Sequence, residues 1–175
     1  MLQGHTCTLR AYRDDDVARL PGTIGRAEVV RWMSHRIPHP YTAADAEAWV
    51  RLAGSARPVD DFAIDVAGVF AGGAGIVPGS GEFERVAQIG YWIAPAFWGR
   101  DIAADATRAL CTHAFRTRGV RRLTAWVFAP NVASARVLER SGFTREAVMR
   151  DHLTARDGRV YDAYSYARLA SDPAP

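Results

Sequence analysis

The sequence predicts a mixed α/β or α+β single domain built on one central sheet. Three observations lead there. The chain has 175 residues, enough for one domain with a substantial core. Hydrophobic residues make up 49% and charged residues 23%, as in globular proteins and unlike disordered ones. The periodicity reads strand, two helices, three strands, helix, strand, helix, two strands, with no internal repeat.

The opening HTCTLRAY alternates as a strand. Asp14-Asp15-Asp16 then suits a helix start, where one acid caps and the others meet the positive end of the dipole; metal binding is the competing reading. Glu28 to Met33 reads as a short helix. Pro38-His39-Pro40-Tyr41 is a loop, because proline bars a helix there. Thr42, with Asp45 three residues on, forms a capping-box pattern ahead of the helical AADAEAWVRLA. Asp61 to Val66 and Phe70 to Val77 read as strands hinged near Gly68. Gly72, Gly73 and Gly75 in the second predict a bulge or close backbone approach. Val86 to Ile93 is a strong strand with an irregularity expected at Gly90, and Pro95 ends it. A helix spans Ile102 to Arg118 and stops at Gly119. Arg122 to Phe128 is a strand, Asn131 to Arg140 a helix, and Phe143 to Met149 and Tyr161 to Leu169 are strands. The domain is expected over residues 1–170, with 171–175 a loose tail.

Composition excludes several classes. No stretch approaches the roughly 20 apolar residues of a membrane span. The start lacks a signal-peptide pattern. Cys7 and Cys111 are too few for a disulfide framework and suit no zinc site, so they read as small core residues, no metal is expected, and the expected compartment is the reducing cytoplasm. The net charge is +3, but the basic residues are dispersed among acids, which argues against a nucleic-acid groove.

The strongest candidate site is the turn Ala96-Phe97-Trp98-Gly99-Arg100 between a buried strand and the long helix. Helix N-termini present unpaired N–H groups and partial positive charge to anions; Gly99 lets backbone approach, and Arg100 adds charge. A strand–Gly–helix turn without a ligand is common, so this signal alone is weak.

IGYWIAPAFWGRDIAADATRAL resembles the acyl-CoA-binding segment of the GNAT acetyltransferases, and NVASARVLERSGF resembles their second cofactor motif, in the family's order and spacing. With LRAYRDDDVARL, PYTAADAEAWV and DGRVYDAYSYARL, the likeness spans nearly the whole chain and points to the RimJ/RimL-like branch, whose known members acetylate protein N-termini. It implies a mostly antiparallel sheet, splayed at the cofactor site and flanked by helices. The resemblance also implies acetyl-CoA as co-substrate and an amine acceptor. It places the pyrophosphate on Trp98, Gly99, Arg100, Asp101, Ile102 and Ala103, with Asp101 standing where the family has a central glycine. A carboxylate there repels a diphosphate unless it turns away and caps the helix. Tyr91, Trp92 and Ile93 match the splayed strand, whose backbone pairs with the pantetheine arm; a backbone N–H there can polarise the thioester carbonyl.

Asn131 reads as an N-cap or, by the resemblance, a pantetheine contact. Ser134 reads as a surface residue or as a proton donor to the departing thiolate. The tyrosine that many members carry seven residues after the asparagine is Leu138 here. Arg136 and Arg140 are candidate phosphate contacts or solvated surface residues. Glu82, Glu84, Asp151, His152 and Asp162 are candidate bases, and His113 a packed or surface histidine. Trp32, Pro38 to Tyr41 and the loop around His152 are expected to border the acceptor. The expected activity is direct acetyl transfer to a peptide N-terminus or small amine, without nucleic acid or membrane. A GNAT-shaped module that binds CoA or a partner without turnover is the alternative, and the family likeness suggests a homodimer.

Overall fold

The computed structural model describes residues 1–56 and 58–175. The chain forms β1 (Leu2–Gln3), β2 (Thr8–Arg10), a 3-10 turn at Asp14–Asp16, α1 (Ala27–Val30), α2 (Ala43–Ser55), β3 (Asp61–Val66) and β4 (Val69–Pro78). It continues through β5 (Val86–Ile93), α3 (Ile102–Thr117), β6 (Arg122–Phe128), α4 (Val132–Arg140), β7 (Thr144–Thr154) and β8 (Val160–Leu169). The strands form one sheet in the order β1-β2-β3-β4-β5-β6-β8-β7. Every neighbouring pair is antiparallel except β5–β6.

Helices cover both faces. On one, α3 and α4 pack Ile102, Ala106, Leu110 and Leu138 against Leu9, Ile64, Leu123 and Tyr166. On the other, α2 and the segment before it pack Leu20, Ala46 and Val50 against Tyr12, Ala63 and Phe70. Alanines 104, 106 and 114 on α3 are fully buried, which lets that helix lie close to the sheet. The capping box forms as expected: Asp45 N–H donates to Thr42 Oγ1 at 3.2 Å, and Thr42 N–H donates to Asp45 Oδ2 at 2.8 Å. Among the described residues no helix is long and apolar enough to cross a membrane.

The departures from the sequence reading are local. The expected opening strand is a small hairpin, β1–β2. Its loop is tied down by Asp105 of α3, which accepts from His5 N–H (3.1 Å), Thr6 N–H (2.7 Å) and Thr6 Oγ1 (2.9 Å). That tie spans about 100 residues of sequence, so no local pattern carries it. No register shift occurs at Gly90; the bulge lies where Ile64 pairs Gly72 and Asp65 pairs Phe70, leaving Ala71 extra. β7 runs past Met149 to Thr154, and two register shifts break the alternation that would have marked it.

The acidic trio makes a 3-10 turn whose last member is buried. Asp16 accepts both arms of Arg10 at 2.7 and 2.9 Å. Burial alone would raise its pKa, but the Arg10 guanidinium and the Arg13 N–H outweigh it and hold the carboxyl below its ordinary 3.8. Asp105 is likewise held low, its burial outweighed by the Thr6 and His5 amides. Both groups titrate lower folded than unfolded. Their stabilisation is therefore full above the unfolded value near 4 and disappears as pH falls through their folded values. Urea melts should show stability falling steeply below about pH 4, and Asp105→Ala should lose about 3 kcal/mol at pH 7.

Candidate functional site

The site begins with a pairing that stops. β5 and β6 pair only at Val86↔Arg122, Ala87↔Leu123 and Gln88↔Thr124. Beyond that root, β4 holds β5 as far as Ile93, while β8 holds β6 as far as Phe128. The two strands diverge because each is bound to a different neighbour. Amides alternate sides along a strand. Val86 C=O accepts from Gly79 N–H, and Ala94 N–H donates to Ala71 C=O, so the even positions of β5 face β4. Tyr91 and Ile93 therefore turn their amides into the split. The Ile93 carbonyl is taken by the Trp98 indole N–H at 2.8 Å. The Tyr91 amide and the Ile93 N–H remain as an open strand edge, a template for an extended ligand. Trp92, expected in the cofactor set, stands apart: its amide faces β4, and its ring packs on Phe70 at 5.8 Å on the opposite face.

The split opens toward the turn into α3. Gly99 has φ +74°, with open space where a Cβ would point. Asp101 is also left-handed, at φ 60°. That conformation is cheap for glycine and tolerated by aspartate, which explains the glycine expected there. The carboxylate turns away from the helix end, but it does not cap it. Instead it pairs with Arg108 Nη2 at 3.2 Å and Arg140 Nη2 at 3.0 Å. The clamp joins the start of α3 to the end of α4 and engages Arg140. The N–H groups of Ile102, Ala103 and Ala104 meet no protein acceptor among the described residues. Arg100 lies over the Phe97 ring at 5.7 Å, and Arg136 is exposed.

Across the split, Asn131 caps α4, its Oδ1 accepting from Ser134 N–H at 3.3 Å. Its NH2 group has no hydrogen-bond partner among the described residues, so capping leaves it unengaged. The Tyr91 hydroxyl lies 2.9 Å from Ser134 Oγ and 3.0 Å from the Ser134 carbonyl, bracing the split strand against α4. Burial pushes the Tyr91 phenol up, keeping it neutral. Leu138 is fully buried.

A GNAT acetyltransferase domain matches residues 7–144. The chain belongs to the GNAT acetyltransferase family. It is 35% identical over 84 residues to the uncharacterized N-acetyltransferase YoaA of Bacillus subtilis, covering 48% of this chain and 47% of YoaA. The chain thus spans about half the length of the sequence relatives it matches. Among solved structures it resembles Mycobacterium smegmatis RimJ in complex with CoA-disulfide, with TM-score 0.81 and 26% identity over 94% of this chain and 82% of that one. It also resembles a GNAT-family acetyltransferase of Bacillus anthracis in fold, with TM-score 0.82 and 19% identity over 96% and 97% of the two chains.

In this GNAT chain Trp32, His152 and Tyr41, expected around the acceptor, pack on the sheet face opposite α3. Trp32 packs on Phe128 (5.2 Å) and Tyr161 (5.7 Å). His152 meets Trp126 edge-on at 5.5 Å. Arg156, in the β7–β8 turn, donates to the carbonyls of Val30, Ser34 and Ile37 at 3.2, 2.8 and 2.6 Å, tying the late loop to the α1 region. The candidate bases divide by position. Asp162 sits beside the open end of β6 and accepts from Asp151 N–H at 3.0 Å. Glu82 and Glu84 are exposed before the root of β5, roughly 20 Å of strand from the turn into α3. Burial pushes the thiols of Cys7 and Cys111 up to about 12 and about 11, so both stay protonated core residues. His113 packs on Phe62 at 5.5 Å.

Sequence reasoning gave Tyr91 a backbone role beside a core-facing ring and made Asp61 only the start of a strand. Tyr91 is legible only once β5 and α4 are brought together. Asp61 opens β3, and nothing in its local pattern sets it apart from the start of any strand.

Relief of the strained Asp101 conformation and loss of its arginine clamp act in opposite directions. Asp101→Gly should leave acetyl-CoA affinity equal or up to about fivefold tighter by titration calorimetry, since removing a carboxylate and a left-handed Cβ is worth roughly 1 kcal/mol. A large loss of affinity would mean the arginine clamp shapes the turn.

Proposed function

We propose that the protein is an acetyl-CoA-dependent N-acetyltransferase, and that it transfers acetyl by direct attack of an amine on the thioester. The observation that carries this reading is that β5 loses its β6 partner after Gln88, leaving the Tyr91 and Ile93 N–H groups unpaired, while the strand runs on into a turn whose helix begins with three unengaged amides. An extended amide-bearing arm and a diphosphate suit that pair of features chemically. The amides of Ile102, Ala103 and Ala104, helped by Arg100 and Arg136, would hold the diphosphate. The backbone of Tyr91 and Ile93 and the free NH2 of Asn131 would hold the arm. A strand amide on that edge would polarise the thioester carbonyl.

Ser134 carries the proton role. Its hydroxyl is fixed beside the Tyr91 phenol. A hydroxyl held there can hydrogen-bond the departing sulfur and hand it a proton, the part a tyrosine at position 138 would otherwise play. The rest of the acceleration comes from holding amine and thioester in one cleft. The likeness to RimJ makes a peptide N-terminus one natural acceptor, and the aromatic face around Trp32 and Trp126 would also suit a small amine.

Calorimetry with acetyl-CoA, followed by a CoA-release screen against peptides and small amines, tests the reading. Absence of binding at millimolar acetyl-CoA would overturn it, and binding without turnover on any amine would favour the non-catalytic module. Ser134→Ala should lower kcat about 10²-fold with acetyl-CoA affinity little changed. Asn131→Ala should weaken acetyl-CoA binding about tenfold, worth roughly 1.4 kcal/mol. Loss of binding in the serine variant, or none in the asparagine variant, would reassign those roles.

A further inference from the structure

We propose that Asp61 is the acceptor-side base: its carboxylate receives the incoming ammonium group and takes its proton on the sheet face opposite α3. The inference rests on the proposed acetyl transfer.

The geometry comes from a row of paired residues. Asp61 pairs Gly75, and Gly75 pairs Gly90, across β3, β4 and β5. Paired residues project to the same face. A Cβ built on Gly75 would run into Asp61 Oδ1, so the carboxylate lies over that glycine. Gly90 is exposed, and nothing stands where its Cβ would be. The carboxylate therefore sits about one strand spacing, roughly 5 Å, from an uncovered stretch of β5. That stretch adjoins Tyr91, whose amide enters the split. Two adjacent positions of β5 thus serve the two faces: Tyr91 toward the thioester edge, Gly90 toward the amine.

The surroundings suit a primary ammonium. The next row is walled by aromatics, with the Tyr12 hydroxyl and the Trp92 indole over Gly73 and Trp49 edge-on to Tyr12 at 5.9 Å. Aromatic faces beside a carboxylate favour a cation on a slender arm. Asp61 makes no hydrogen bond or ion pair among the described residues, although its neighbour Asp60 is paired with Arg118 at 3.1 Å. The titratable and charged groups near it are Asp60 with its partner Arg118, Tyr12 and, beyond Tyr12, Asp16 and Tyr41. Burial and then Asp60 push its carboxyl up to about 6. A half-buried, unpaired carboxylate weakens the fold, and residues kept at such a cost commonly serve chemistry.

The step balances. One N–H bond of the ammonium breaks and its proton goes to Asp61, giving the neutral acid. The freed nitrogen pair forms the N–C bond at the thioester carbon. The C–S bond breaks, and the sulfur leaves as thiol with the second nitrogen proton, relayed by the Ser134 hydroxyl. Asp61 then returns its proton to solvent.

The test compares wild type, Asp61→Asn and, as a distant control, Glu82→Gln. Probes are acetyl-CoA with a peptide bearing a free serine N-terminus, spermidine or tyramine. Asp61 must be ionised to accept the proton, so wild-type kcat/KM should rise with pH through about 6 and level off above it. Asp61→Asn should bind acetyl-CoA within twofold of wild type, melt no lower than wild type at pH 8, lose about 10²-fold or more in kcat/KM for the amine, and lose the acidic limb. Glu82→Gln should match wild type throughout. An Asp61→Asn protein that keeps both the rate and the limb overturns the inference. So does a wild type that binds acetyl-CoA yet releases no CoA with any probe. Failure of wild type to bind acetyl-CoA instead overturns the proposed function itself.

Discussion

A strand bonded along its whole length on one side and only at its root on the other is the constraint from which the rest of this molecule follows. β5 keeps its β4 ladder through Ile93 but leaves β6 after Gln88. β6 cannot follow, because β8 claims it to its end. The backbone groups left in the split would be costly if sealed from water. One is met by the Trp98 indole, and the others stay available. Such an edge invites aggregation in most sheets, but here it lies inside a sheet with neighbours on both sides, so only a narrow ligand can reach it.

The elements around the split are held by charge and hydrogen bonds that join distant segments. Asp101 ties α3 to α4 through Arg108 and Arg140. Asp105, one turn on, ties α3 to the N-terminal hairpin. Tyr91 braces β5 against α4 through Ser134. Each uses a polar group in or beside the split region, so the ties that hold these elements gather where β5 loses its β6 partner. Asp101 shows the compromise: a residue placed where glycine is easiest carries backbone strain but supplies a clamp that glycine cannot.

The two sheet faces carry different groups. The face of α3 and α4 holds the split edge, the helix amides and Ser134. The opposite face gathers Trp32, Trp126, Tyr12, Trp92 and Asp61. The period of two along β5 is what sends adjacent residues to different faces. Glycines at 75 and 90 keep the second face open close to the first.

Much of this was legible in the chain. The boundaries of β3, β5 and β6, the capping box at Thr42, the N-cap at Asn131 and the turn at Gly99 all follow from local signals: periodicity, caps and left-handed glycine. Those signals work because they depend on neighbours within a few residues. What the chain alone could not show was which strand each strand joins, and so where pairing stops. The hairpin at the N-terminus, the length of β7, and the meetings of Tyr91 with Ser134 and of Asp61 with Gly75 were decided by tertiary contacts. The physical reason is the same for all of them. Local propensity sets the kind of element, but pairing, facing and burial are settled by partners far along the chain, whose contacts leave no periodic trace in either segment.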